Sequence, residues 1–355
     1  MSISALFLFL LILIVLVIVH EFGHFIVAKL TNMRVDEFAF GFPPRLFSKK
    51  KGETTYSVNA LPLGGYVSIW GENGGEEDAI AKTHPRAFSN RPWWAQLLVL
   101  LAGVTMNMIL AWVIFVGISF GEVRMSVDDE KYGKFVKNAS LMVMESKEES
   151  PAYKAGIIPG SILLQVTSND KNATLATPES LISFIGEHQN DPIFILYKKP
   201  DDVVSSTTIA AVFGIVENKK AIGVSVESVG VVETTIVQAF AIGTEKTYEV
   251  TMLTFEGLST LVTSLFEGES VIDSLSGPIS IAKIVGQTST YGYAAILTLV
   301  ALLSINLAIF NALPLPALDG GRFVVVIIET ITKKRIPFKY YSWANMVGFS
   351  LLLLL

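Results

Sequence analysis

The sequence predicts a polytopic α-helical membrane protein of about four transmembrane helices, with a membrane-associated β-hairpin or small sheet and one α+β domain outside the bilayer. Three observations carry this expectation. Of 355 residues, 51% are hydrophobic and only 17% are charged, too apolar a balance for an ordinary soluble domain. The apolar excess is concentrated in blocks at 3–19, 95–120, 293–313 and 338–355. Between the second and third blocks, residues from about 122 to 235 have ordinary soluble composition.

A bilayer core takes roughly 20 apolar residues per helix, and the first block reaches that only by continuing through His20 to Leu30. It lacks a basic start and a small-residue cleavage site, so it is expected to stay as a span and not to be removed as a signal peptide. The second and third blocks are long enough by themselves, and the fourth runs to Leu355. The expected organisation is a first membrane part over 1–121, an outer domain over 122–235, a linking region over 236–290 and a second membrane part over 291–355. Within the linking region, 236–266 is interrupted by Glu245, Lys246, Glu249 and Glu256 and reads as an amphipathic surface helix.

Arg34, Arg45, Lys49, Lys50, Lys51, Lys82, Arg86 and Arg91 join the first two spans, and Lys333, Lys334, Arg335 and Lys339 follow the third. By the positive-inside rule both loops are cytoplasmic, which puts residues 122–235 and both termini outside. The net charge of −5 gives no sign of a nucleic-acid partner. With no cysteine in the chain, disulfides and thiolate metal sites are excluded.

At the inner end of the first span the sequence reads His20-Glu21-Phe22-Gly23-His24. Imidazoles four apart share a helix face and can hold one zinc ion, with Glu21 one position round, reaching the water that such an ion acidifies for peptide hydrolysis. An ionisable residue in an apolar span costs about 2.5–3.5 kcal/mol. Three of them in five positions need a partner, and a metal supplies one. A catalytic zinc usually takes a third protein ligand. Residues 32–75 read as strands and turns and offer no helix for it, so the better candidate is Asp319 in Asn311-Ala312-Leu313-Pro314-Leu315-Pro316-Ala317-Leu318-Asp319-Gly320-Gly321. The alternative for Asp319 is a simple turn ahead of the two glycines. Pro314 and Pro316 forbid continuous helix there, and irregular backbone at membrane depth is tolerated only against protein or a water cavity.

Tyr56 to Ala60 alternate as a strand, and Pro62 with Gly64-Gly65 turns the chain toward Tyr66-Val67-Ser68-Ile69-Trp70. Pro62 favours an edge position, and an open edge can accept an extended peptide. In the outer region one helix is clear: Thr177 at its N-cap, Pro178 at its first position, and Leu181, Ile182 and Ile185 facing inward.

The HExxH motif on a first span, joined to a distant Leu318-Asp319-Gly320, resembles the site-2 protease family of intramembrane zinc metalloproteases. Ser150-Pro151-Ala152-Tyr153-Lys154-Ala155-Gly156-Ile157-Ile158-Pro159-Gly160 resembles a PDZ segment, and Leu275-Ser276-Gly277-Pro278-Ile279-Ser280-Ile281-Ala282 is similar to the run before the third span of the bacterial RseP-type branch. The resemblance implies Zn2+ on His20, His24 and Asp319, general base catalysis by Glu21, and Asn311, Pro314 and Pro316 helping to hold unwound substrate beside Gly64, Gly65 and Tyr66. Gly103-Val104-Thr105-Met106-Asn107 occupies the place of the family's Gly-x-x-x-Asn element, with Val104 where proline often stands, and assigns Asn107 to the substrate-binding set. It further implies a bacterial inner-membrane enzyme with its active site near the cytoplasmic side and one PDZ-like outer domain taking an extended peptide or chain end. Its substrates would be single-span membrane proteins, such as anti-sigma factors or leftover signal peptides. Two other classes compete. An ion or metal transporter usually shows repeated halves, and no internal repeat is found; an inactive PDZ scaffold would have no reason to keep Glu21 and all three ligands.

Overall fold

A computed structural model of the chain describes residues 3–72, 84–216, 219–267 and 277–354. Lys82 of the first basic loop and Leu275-Ser276 of the RseP-like run lie outside the described residues. The chain divides into two compact units, one of residues 1–115, 243–286 and 297–355, the other of 116–242 and 287–296.

In chain order the first elements are α1 (Ile3–Leu30), β1 (Val35–Lys51), β2 (Thr54–Ile69) and α2 (Trp93–Ile118). The outer-region elements follow: β3 (Gly121–Ser126), β4 (Lys137–Ser146), α3 (Pro151–Lys154), β5 (Ile162–Ser168), β6 (Lys171–Asn172), α4 (Pro178–Glu187), β7 (Ile193–Lys198), β8 (Val204–Ile209), β9 (Val212–Val216), β10 (Lys219–Ala221) and β11 (Val224–Thr234). The chain closes with α5 (Ile236–Glu267), α6 (Pro278–Thr288), α7 (Tyr293–Ala312), α8 (Asp319–Thr332) and α9 (Phe338–Leu354).

Among the described residues, three helices are long and apolar enough to cross a membrane: α1, α2 and α7. Their outward side chains are apolar, as in Phe7 and Leu11 on α1 or Leu98 and Val113 on α2. The inward stripe of α1 runs Ala5, Ile12, Leu16, His20, Gly23, His24 and Ala28, a helical spacing that puts both histidines on the face turned to the protein. The fourth expected span forms α9, whose 17 residues fall short of the roughly 20 that a bilayer core takes. Helix α5, at 32 residues, is long enough but too polar to join the three. The Trp112 indole donates to the Thr244 hydroxyl (2.9 Å), and Thr254 donates to Asn306 Oδ1 (3.0 Å). This part of α5 therefore lies along α2 and α7.

Strands β1 and β2 pair from Val35 opposite Ile69 to Lys51 opposite Thr54. Residues Glu37 to Phe40 have partners on both sides, in 65–68 and again in 55–58. That makes 35–40 an interior segment, with 65–69 and 45–51 as the two edges among the described residues. At the turn between the strands, Glu53 accepts from Lys29 Nζ (2.6 Å) and from Arg86 Nη2 and Nη1 (2.7 and 2.8 Å), tying the hairpin to the end of α1. These two cations hold the Glu53 carboxyl down at about 2, Arg86 first. Beneath the hairpin, Ala28, Met33, Val35, Ile69, Phe88, Val99 and Val326 form a core joining α1, both strands, α2 and α8.

The second unit holds a seven-stranded antiparallel sheet in the order β3-β11-β4-β5-β7-β8, with β6 on β5. Helix α4 begins as expected: Thr177 and Ser180 form a reciprocal cap, and Pro178 occupies the first turn. Leu181 and Ile185 are buried with Leu141, Val143, Ile193 and Ile195. Ile182 is a correction: it is 64% exposed. A helix of 10 residues presents one narrow stripe, and a residue about 100° round from Leu181 misses it.

Candidate metal centre

The ligand residues come from both ends of the chain. His20 and His24 lie one turn apart on α1, and Asp319 opens α8, directly after the irregular loop 313–318. That loop closes tightly. Cβ atoms at Gly320 and Gly321 would lie 2.3 Å from the carbonyl oxygens of Ala312 and Leu313 and 2.1 Å from that of Leu315, so only glycine lets the helix start this close to the loop. Ala317 sits at φ +74°, and its N–H donates to Asn345 Oδ1 on α9 (3.0 Å). Arg322, one turn beyond Asp319, donates through Nη2 to the carbonyl of Glu72 (2.5 Å) and lies over the Phe88 ring (5.7 Å). The helix bearing the carboxylate is thus fastened to the end of the hairpin.

Asp319 Oδ2 is 3.0 Å from His20 Nε2 and 3.2 Å from His24 Nε2, and the two nitrogens are 3.1 Å apart. A tetrahedral zinc with bonds of about 2.0–2.2 Å spaces its ligands by about 3.3 Å, so the triangle has the size that this ion requires. The chemistry fits as well. His24 Nδ1 donates to the Val99 carbonyl (2.8 Å), which leaves the Nε2 lone pair of the neutral ring aimed at a carboxylate oxygen. Two such electron-rich atoms at 3.2 Å need a positive centre between them. The α2 wall is glycine at the critical place: a Cβ on Gly103 would lie 2.5 Å from His24 Nε2 and 2.6 Å from His20 Cε1.

A cavity of about 240 Å³ opens onto this triangle, lined by Val17, His20, Glu21, Gly64, Gly65, Leu307, Asn311, Ala317, Leu318 and Asp319. Glu21 is beside the triangle and outside it, and a Cβ on Gly65 would lie 3.4 Å from its Cγ. The edge 65–69 therefore borders the cavity directly.

Of the eleven residues assigned from sequence, the structure brings His20, Glu21, His24, Gly64, Gly65, Asn311 and Asp319 together. Tyr66 is in the edge segment, opposite Ala39, and it does not line the cavity. Pro314 and Pro316 are exposed and shape the loop instead of the cavity wall. Asn107 has no exposed surface and stands behind His20, 3.3 Å from its Nδ1. Val17 and Leu307 were not anticipated; each lies four residues before an assigned residue, Glu21 or Asn311, and helical spacing alone would have found them. The Val99 carbonyl and the Arg322–Glu72 tie left no sequence signal.

A profile of peptidase family M50 matches residues 8–355. The chain belongs to peptidase family M50. It is 34% identical over 337 residues to a Clostridium perfringens protein named as a zinc metalloprotease, covering 95% of this chain and 91% of that one. Similar too are the zinc metalloprotease RasP of Oceanobacillus iheyensis, at 28% over 95% of this chain and 93% of the relative, and the regulator of sigma-W protease RasP of Bacillus subtilis, at 27% over 95% and 92%. With its apolar spans and its two-histidine, one-aspartate triangle, this M50 peptidase is an intramembrane zinc metalloprotease.

Proposed function

We propose that this peptidase cuts single-span membrane proteins inside their apolar segments, with zinc held by His20, His24 and Asp319 and with Glu21 as general base. The observation that carries the reading is the placement of Glu21 and the ligand triangle around one cavity at the end of an apolar helix. Zinc, when bound, supplies Lewis acidity that polarises the scissile carbonyl and makes water a better nucleophile. Glu21 takes the proton from the attacking water and passes it to the leaving amine. A peptide bond within a helix is shielded, so the substrate must be drawn out into an extended form. The 65–69 edge beside Gly64 and Gly65 receives that backbone as an added strand, and the Asn311 amide bonds its freed polar groups.

The same reading takes α9 as a fourth span anchored beside the site, and takes 1–121 and 291–355 as the membrane parts. The basic loops then face the cytoplasm, with the site near that side of a bacterial inner membrane. Residues 122–235 form a PDZ-like domain on the outer side that admits substrates through an extended peptide or a chain end, and 236–290 links it to the second membrane part. Anti-sigma factors and remnant signal peptides are the substrate class; the name of the Bacillus subtilis relative, a regulator of sigma-W protease, favours the former.

The test reconstitutes the full chain in lipid nanodiscs with a single-span substrate and maps fragments by mass. Cleavage inside the apolar segment by wild type, with none by Glu21→Gln at equal zinc content, is the expected result. Equal cleavage by Glu21→Gln would remove the glutamate from the chemistry.

A further inference from the structure

Asn107 lies on the buried face of α2, one turn after Gly103. Its backbone carbonyl accepts the Ser304 hydroxyl of α7 (2.8 Å), so the residue is tied in place between two span helices. Its Nδ2 is 3.3 Å from His20 Nδ1, while its equally buried Oδ1 has no hydrogen-bond partner. A buried acceptor left facing no donor is unfavourable, and its position beside a ligand histidine calls for an explanation.

The explanation lies in what His20 needs in order to hold a metal. Its Nε2 is the atom in the triangle with Asp319 and His24, so in the metal-holding tautomer that nitrogen carries a lone pair and the proton sits on Nδ1. That proton needs an acceptor. Metal-bound histidines almost always donate their second ring N–H to a carbonyl or carboxylate, and this outer partner fixes both tautomer and ring orientation. His24 already has one in the Val99 carbonyl. The oxygen and nitrogen ends of an amide are told apart only by their neighbours, and turning the Asn107 amide over brings Oδ1 to His20 Nδ1.

We infer that Asn107 is a positioning residue for His20, its Oδ1 accepting the Nδ1 proton so that Nε2 faces the metal. Gly103 and Asn107 then form one device on α2: the first leaves room for the two imidazoles, and the second orients the outer of them. Its complete burial and its absence from the cavity wall set it apart from residues that touch substrate. The inference rests on the zinc reading given above.

Full-length wild type, Asn107→Leu, Asn107→Asp and His20→Ala, in nanodiscs, are titrated with a zinc chelator, and retained zinc is measured together with kcat and KM. Leucine keeps the volume and removes the acceptor; it should weaken zinc retention about 10–100-fold, with KM at saturating zinc unchanged. Aspartate keeps an acceptor and should retain zinc as wild type does. Melting curves of the metal-free forms show whether each variant folds. If Asn107→Leu does not fold, Asn107→Asp decides alone, since losing zinc about tenfold or more there would mean that the amide acts as a donor. Unchanged zinc retention by Asn107→Leu with a raised KM would make Asn107 a substrate contact and overturn the inference. Full zinc retention by His20→Ala would instead overturn the metal site itself, and this role with it.

Discussion

His24 Nδ1 donates to the carbonyl oxygen of Val99 at 2.8 Å, a bond that makes the second apolar helix decide which way an imidazole of the first one points. The metal site is therefore a property of the α1–α2 contact as much as of the HExxH motif, and small changes on α2 should be felt there.

Gly103→Ala is the sharpest such change. The added Cβ would meet His24 Nε2 at 2.5 Å and His20 Cε1 at 2.6 Å, far inside contact distance, and the rings can yield only by leaving the triangle. Zinc retention against a chelator should fall by about tenfold or more, while the metal-free protein melts near wild type. A variant that keeps zinc would show that α2 can move away from α1.

Asn311→Leu tests the wall across the cavity. Asn311 is not part of the ligand triangle, so zinc content should stay at one per chain while KM for a single-span substrate rises about tenfold, the loss of about 1.4 kcal/mol expected for one hydrogen bond. A fall in kcat with KM unchanged would assign it to the chemistry instead.

Acid should loosen the hairpin. The Glu53 carboxyl is held at about 2 by Arg86 and Lys29, below the ordinary 4.5, so its stabilising effect is complete above pH 4.5 and is lost as pH falls from there toward 2. With roughly a third of each side chain exposed, solvent screening limits this to about 1 kcal/mol. Glu53→Gln should melt below wild type at pH 7, and the gap should close over that acid range. A gap independent of pH would show that the carboxylate's charge is irrelevant.

Neighbouring positions on α4 should behave oppositely. Leu181 is 1% exposed and Ile182 64%. Leu181→Ala is expected to destabilise the second unit by about 2–5 kcal/mol, whereas Ile182→Ala should stay within about 0.5 kcal/mol. Pulse proteolysis of residues 116–242 in the full chain measures both.

How legible was this in the sequence? The spans, the shared face of His20 and His24 and the cap at Thr177 were readable, because helical periodicity and local hydrogen bonding are written in neighbouring residues. Asp319 needed more: the search for a third ligand and the resemblance both pointed to it, but its distance from the histidines closes only through the packing of α8, which Arg322 and the two glycines secure. Tyr66 and Asn107 were assigned to substrate by their place in motifs. Packing, which depends on residues far away in the chain, keeps the first out of the cavity wall and sets the second behind His20. Ile182 failed for a simpler reason, since its hydrophobicity says nothing about which side of a short helix it occupies. The placement of α5 along α2 and α7 was hidden by its charges, because the contacts that place it are made by Thr244 and Thr254.

The separation of the ligands, 299 positions between His20 and Asp319, also bears on how the enzyme comes into being. Ribosomes deliver the histidines long before the aspartate, so a nascent chain threading into the bilayer carries an incomplete blade. Destructive capacity has to wait until that remote carboxylate has emerged and α8 has settled against the earlier helices.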